Sequence, residues 1–293
     1  MKLQLTRIAP TPSGYLHLGN AFSFLMTKAF AERHQAEILL RIDDLDRERY
    51  RTEYVQDIFD TLEFLEIKID RGPKNLSEFE SEWSQMHRMS LYEEALEKIR
   101  TSGKVFACDC SRKKIQQMSP QGYYLGQCLD RRIPLDRKET SWRIDTLDSD
   151  FIEIREYPNR KISGLIPEES AFYMIRKKDG IPSYHLSSLV DDLHFGVDGI
   201  VRGKDLLPST YAQMDLGRLL GENSFSDTIF FHHELLKGPD QKKLSKSADS
   251  TSIQFLRKEG KSLTDIFQLL GQWEGKKEPV SSYEEFKAVF FLQ

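Results

Sequence analysis

Apolar and polar residues alternate from Leu3 to Ala9, which is the period of a strand, and Pro10, Pro12 and Gly14 break the pattern. From Gly19 to about Arg33 the spacing changes. Ala21, Phe22, Leu25, Met26 and Ala29 recur every three or four residues and predict a helix with one buried face. Glu37 to Ile42 is short and largely apolar, as strands covered on both faces are. Val55, Ile58, Phe59, Leu62 and Leu65 then return to helical spacing. Strand, helix, strand, helix predicts an α/β domain: a Rossmann-type, doubly wound parallel sheet.

Leu91 to Arg100 is a further amphipathic helix, with Gly103 placed to cap its end. The rhythm changes at Val105. A cysteine cluster comes first, followed by short strand-like runs at Trp142–Thr146, Phe151–Arg155 and Ala171–Arg176. This predicts an inserted α+β module. After the Asp179-Gly180 turn the α/β rhythm resumes. Ser183–Leu193 reads as a helix, Gly199–Arg202 as a strand, Leu207–Leu220 as a helix and Thr228–His232 as a strand. Thr251 to Gln293 reads as mostly helical. The expected organisation is a split catalytic domain at residues 1–99 and 181–247, an insertion at 100–180, and a short C-terminal helical tail at 248–293.

Composition narrows the class. Hydrophobic residues make up 39% of the 293 and charged residues 30%, which is ordinary for a globular protein. No apolar run approaches the ~20 residues that span a bilayer, and the N-terminus lacks a signal-peptide core. The expectation is a cytoplasmic monomer with no membrane partner. The net charge of -4 excludes a generic polyanion binder, yet Lys104 to Arg143 holds nine Lys/Arg against four Asp/Glu. That segment is either a face for a folded nucleic acid or a solvated mixed-charge surface. The three cysteines lie at 108, 110 and 128. An odd, clustered set argues against a disulfide framework and leaves a metal site or chance.

Two short segments carry candidate chemistry. Thr11-Pro-Ser-Gly-Tyr-Leu-His-Leu-Gly-Asn20 places His17 where a strand gives way to a helix. Unsatisfied N–H groups at a helix start favour phosphate, Gly19 permits close backbone approach, and His17 is a donor to a phosphate oxygen. Lys243-Leu-Ser-Lys-Ser247 places two lysines on a serine-rich loop, where they can neutralise charge on a leaving pyrophosphate. Each segment alone reads equally as a surface turn or a solvated basic loop. In this order they read as two halves of one ATP site.

The chain resembles the class I aminoacyl-tRNA synthetases of the glutamyl type. His17-Leu-Gly-Asn20 is similar to their first signature motif and Lys243–Ser247 to their second. Arg7-Ile-Ala-Pro-Thr-Pro-Ser-Gly14, Arg41-Ile-Asp-Asp-Leu-Asp46, Gly180-Ile-Pro-Ser-Tyr-His185, Val190-Asp-Asp192 and Ile200-Val-Arg-Gly203 agree with the same branch. The resemblance implies ATP contacts at His17, Gly19, Asn20, Lys243, Ser245 and Lys246, with His17, Lys243 and Lys246 stabilising the phosphates. It implies a glutamate site at Arg7, Ala9, Thr11, Asp43, Tyr184, Ser188 and Arg202. In that site Arg202 meets the substrate carboxylate, Tyr184 closes the pocket and Asp43 holds the α-ammonium. Asp43 stands where glutamyl enzymes usually carry Glu, and Ser188 where they carry Asn. The implied reaction consumes glutamate and ATP with Mg2+, forms glutamyl-adenylate and transfers the glutamyl group to tRNA. Relatives that bind zinc in the insertion complete three cysteines with Tyr or His. The resemblance therefore implies a structural Zn2+ held by Cys108, Cys110, Tyr124 and Cys128, with Tyr123 the second choice for the tyrosine.

Only Ala248 to Gln293 follow the second motif, which is short for an anticodon-reading module. A catalytic core of this extent resembles the glutamyl-Q tRNA(Asp) synthetases, which glutamylate queuosine in the anticodon loop of tRNA(Asp). The other expectations are a compact enzyme charging the tRNA 3′ end, a small-molecule adenylylating ligase, and an inactive RNA-binding paralogue.

Overall fold

The computed structural model describes residues 3–236, 252–276 and 278–292. The chain divides into two compact units. One comprises Met1–His87, Gly199–Lys204 and Phe231–Gln293, and the other Arg88–Asp198 and Asp205–Phe230.

In the first unit, β1 (Leu5–Ile8) lies between β2 (Glu37–Leu40) and β8 (Gly199–Gly203) and runs parallel to both. Beyond β8 comes β9 (Ile229–His233), whose last three residues belong to this unit. The first strand is shorter than its alternating pattern, and at its far end Pro10 has no N–H to continue the ladder. Pairing nevertheless continues past β2: Arg41 N–H donates to Ile8 O and Asp43 N–H to Pro10 O, both at 2.9 Å. Chain order reverses direction at β1. Such a switch point opens a crevice beyond the strands' carboxyl ends.

Helix α1 (Leu18–His34) is buried on more than one side, since Phe22, Phe24, Leu25, Met26, Ala29 and Phe30 are all in the core. Phe30 stacks on Phe231, while Phe22 meets Phe286 and Phe290 edge-on. The helix therefore fills the space between the sheet and the C-terminal helices. α2 (Thr52–Phe64) buries Val55, Ile58 and Leu62 as the period predicts, and a short α3 (Leu76–Glu78) is capped by Asn75. The tail forms α8 (Ile253–Lys258), α9 (Leu263–Trp273) and α10 (Tyr283–Phe286), as the pattern predicts.

The second unit opens with α4 (Met89–Arg100) and contains an antiparallel sheet of β3 (Val105–Cys108), β4 (Ser141–Ile144) and β7 (Met174–Arg176). α5 (Arg112–Met118), α6 (Tyr184–Phe195) and α7 (Leu207–Leu219) complete its helices of six residues or more. Two outcomes depart from the strand pattern. The Ala171–Arg176 run is strand only from Met174, because Phe172 takes a left-handed conformation (φ 53°) that interrupts an extended chain. The Phe151–Arg155 run forms β5 (Ile152–Glu156), which pairs parallel with the start of β9 and antiparallel with β6 (Arg160–Gly164), not with β4 or β7. β6 has little apolar pattern of its own because it is an exposed edge. Among the described residues no helix is long and apolar enough to cross a membrane.

Gly72 sits against the end of β2, where Leu40 N–H donates to Arg71 O at 2.9 Å. Its φ is +113°, and a Cβ there would lie 2.4 Å from Leu40 O. Gly72→Ala is expected to lower the unfolding free energy by about 2–4 kcal/mol through backbone strain and overpacking. Urea unfolding of the two proteins measures this, and an unchanged midpoint would contradict the close approach.

Candidate active site

The crevice at the switch point is where the first unit gathers its charged residues. Arg7 on β1 and Arg202 on the neighbouring β8 are both buried, and Arg7 Nη1 donates to Val201 O at 3.3 Å. Two buried guanidiniums make this a place for an anion with a planar, two-oxygen face. Ala9 and Thr11 follow β1 around the same end of the sheet, with Ala9 half-buried and Thr11 exposed. Asp43 reaches that end through its backbone bond to Pro10. Its carboxylate accepts two hydrogen bonds from Arg41, Nε to Oδ1 at 2.7 Å and Nη2 to Oδ2 at 3.0 Å. Asp44 does different work. It accepts from Ser84 Oγ, Gln85 N–H and Arg47, and so braces the turn before α4.

His17 is the N-cap of α1. Its Nδ1 accepts from Gly19 N–H at 3.1 Å, and Asn20 Oδ1 accepts from His17 N–H at 3.0 Å. This reciprocal pair is a capping box built with histidine in place of serine. Burial lowers the His17 pKa below its ordinary 6.5, so the ring is neutral near pH 7. With Nδ1 accepting, the ring proton is assigned to Nε2, a donor beside the positive end of a 17-residue helix. Protonation of Nδ1 would set a donor against the Gly19 donor and break the cap.

The backbone just before His17 is fixed as well. Leu16 N–H donates to Asp57 Oδ2 at 3.0 Å, and Leu16 O accepts from Ile253 N–H at 2.7 Å. His17 itself forms an isolated antiparallel bridge with Ser252. Lys243, Ser245 and Lys246 lie outside the described residues.

Tyr184 and Ser188 belong to the second unit. They stand one turn apart on α6, Tyr184 39% exposed and Ser188 fully buried. The start of α6 is tied to β7 by Ser183 N–H to Ile175 O and by Ser183 Oγ to Met174 O. Further along, buried Asp191 accepts two bonds from Arg88 and one from Tyr92 Oη, at 2.7–3.1 Å. That network anchors the helix carrying Tyr184 to α4.

Cys108, Cys110 and Cys128 are buried in the same unit, with their sulfurs all within 4.8 Å of one another. Cys110 and Cys128 Sγ are 3.5 Å apart. A tetrahedral zinc site with bonds of about 2.3 Å has sulfur–sulfur edges of about 3.8 Å, so the three thiols fit one ion. Tyr124 is buried beside them, its Oη accepting from Cys128 N–H at 2.9 Å, and it supplies a fourth donor. Tyr123 is only half-buried. Burial, with its neighbouring thiols, pushes Cys110 up to about 12. Asp109, between the first two cysteines, is bound by Arg131 through both oxygens at 2.6 and 2.9 Å, and this holds its pKa down at about 2. In this segment Arg112, Lys113, Lys114, Arg132, Arg137 and Lys138 are exposed, as are Asp130, Asp136 and Glu139, so its exposed charge is mixed with a basic excess.

Comparison with known proteins shows the family of the chain. Residues 4–140 and 159–290 match the model of the tRNA synthetases class I (E and Q), catalytic domain. The chain belongs to that family. A glutamate–tRNA ligase of Syntrophus aciditrophicus (strain SB) is 29% identical over 98% of this chain and 61% of its own length. The chain thus spans less than two thirds of that relative. A glutamyl-Q tRNA(Asp) synthetase of Rhodobacter capsulatus is 32% identical over 91% of this chain and 99% of its own length. The fold is shared with the glutamate–tRNA synthetase of Elizabethkingia anophelis, with a TM-score of 0.70 at 23% identity over 88% of this chain and 54% of that one.

Three residues of this class I synthetase domain escape sequence reasoning. Arg41 is the partner of Asp43, and the only signal for it is its place two residues away, just past the end of β2. Asp57 interrupts the apolar stripe of α2, which marks a buried acid that needs a partner. Arg88 lies 103 residues from Asp191 and carries no local signal.

Proposed function

We propose that this class I synthetase domain activates glutamate with ATP and transfers the glutamyl group to queuosine in the anticodon loop of tRNA(Asp). The observation that carries the reading is the pair of buried arginines on neighbouring strands, Arg7 and Arg202. A dicarboxylic amino acid brings one carboxylate for the arginines and a second for reaction. Arg202 and Arg7 hold the side-chain carboxylate and Asp43 receives the α-ammonium; the resemblance assigns further glutamate contacts to Tyr184 and Ser188 of the second unit. Arg41 orients Asp43 through two hydrogen bonds.

The free α-carboxylate oxygen bonds to the α-phosphorus as the bond to the leaving pyrophosphate breaks. No enzyme nucleophile and no proton transfer are needed, so catalysis is positioning and charge stabilisation. Nε2–H of His17 and the N-terminus of α1 donate to the phosphates, Gly19 and Asn20 keep that turn in shape, and Lys243, Ser245 and Lys246 complete the site. Mg2+ accompanies the nucleotide and neutralises phosphate charge. A hydroxyl of the acceptor then attacks the adenylate carbonyl, AMP leaves, and the hydroxyl proton passes to solvent. The glutamyl-Q acceptor is suggested by the 32% identity to the Rhodobacter glutamyl-Q tRNA(Asp) synthetase. The exposed basic residues of segment 104–143 supply phosphate contacts for the tRNA.

Pyrophosphate exchange tests the first step. ATP–pyrophosphate exchange is expected with glutamate and without tRNA. No exchange under either condition would overturn the activation reading, and exchange only with tRNA would favour charging of the 3′ end. Labelled glutamate is expected to stay with tRNA(Asp) after its 3′-terminal nucleotides have been trimmed away, and release of the label with the 3′ end would overturn the queuosine assignment.

Cys108, Cys110, Cys128 and Tyr124 would hold a structural zinc ion, which cross-links the two ends of the cysteine loop and adds its binding energy to folding. Protein purified without chelator is expected to contain about one zinc per chain by elemental analysis, with Cys128→Ser losing most of it. Trace zinc in the wild type would refute the site.

A further inference from the structure

We infer that Asp57 and Arg257 are a positioning pair that fixes the backbone at His17 for the phosphate chemistry, an inference that rests on the activation reading above. Asp57 sits on α2 and is buried, and its two oxygens do different tasks. Oδ2 accepts from Leu16 N–H at 3.0 Å, and Oδ1 accepts from Arg257 Nη2 at 2.7 Å. Arg257 also reaches Asp60, one turn along α2, at 3.3 Å. Arg257 belongs to α8, whose N-cap, Ser252, bridges to His17 and whose first residue, Ile253, donates to Leu16 O. The contacts close a ring: Leu16 to Asp57, Asp57 to Arg257, along α8 to Ile253, and back to Leu16.

The ring consumes both backbone hydrogen-bonding groups of the residue before His17. Neither is used by β1 or α1, so the approach to the histidine is set by α2 and α8. An apolar pair of similar volume could fill the space between those helices at no cost in stability, because desolvation offsets much of the gain from a buried ion pair. It could not accept the Leu16 N–H in a fixed direction. Burial raises the Asp57 pKa, and the bonds from Leu16 and Arg257 work against that rise. The carboxylate is therefore retained where it is expensive, one residue from the proposed phosphate donor, as expected of a positioning role.

The test compares full-length wild type with Asp57→Asn, Arg257→Gln and Arg257→Lys in glutamate-dependent ATP–pyrophosphate exchange, with thermal unfolding followed alongside. For Asp57→Asn and Arg257→Gln, kcat is expected to fall about 10- to 100-fold while the KM for glutamate stays within about twofold. Arg257→Lys, which keeps the charge, is expected to recover part of the loss. The His17 ring nitrogen shifts in NMR are expected to move in Asp57→Asn and Arg257→Gln. Folded variants with kcat within about twofold of wild type would overturn the inference. Should the wild type show no exchange, the activation reading fails by itself and the His17 shifts decide the positioning role, with unchanged shifts overturning it. Should Asp57→Asn not fold, the same two readouts on the arginine variants decide.

Discussion

The hydrogen bond from Gly19 N–H to His17 Nδ1 sets the chemistry of the first unit. It makes histidine the cap of α1, requires the ring to be neutral, and leaves its proton on Nε2. The same bond fixes where α1 begins. α1 carries the largest block of core side chains in that unit, so the cap joins the stability of the fold to the geometry of the proposed phosphate site. A serine would cap the helix equally well but would be too short to reach beyond the helix start.

Around the cap, the parallel register of β1 with β2 and β8 brings the remaining charged groups to one end of the sheet. Arg7 and Arg202 stand on neighbouring strands, and Asp43 arrives because backbone pairing persists three residues past β2. Burial gives these charges their force. A guanidinium screened from water attracts a carboxylate more strongly than one at the surface. It also demands compensation, which Asp43 finds in Arg41 and Asp191 in Arg88. In each unit the buried charges are therefore costly alone and settled in pairs.

Much of this was legible in the order of apolar residues. α2 follows one period over several turns, β2 is a short apolar run, α1 has the predicted face and buries more besides, and the turn holding His17 is marked by Pro10, Pro12 and Gly14. What the chain hides is partner choice. Nothing in Ile152–Glu156 says that it pairs with β9 rather than with β4, because strand pairing is decided by residues distant in sequence. β3 is masked because Cys108 ends it, and cysteines read first as ligands. Phe172 hides a break inside an apolar run, since its left-handed backbone leaves no mark on hydrophobicity. The cysteine cluster was visible from spacing, but the closeness of its three sulfurs required the fold. Asp57 was visible only as an acid out of place, and its partners lie 41 and 200 residues away.

The central claim is that His17 serves as both helix cap and phosphate donor. Asparagine separates the two roles, because it caps a helix well but lacks the Nε2–H. In His17→Asn the account predicts an unfolding midpoint close to wild type and glutamate-dependent ATP–pyrophosphate exchange reduced by about 100-fold or more. A folded His17→Asn protein that exchanges at the wild-type rate would contradict it.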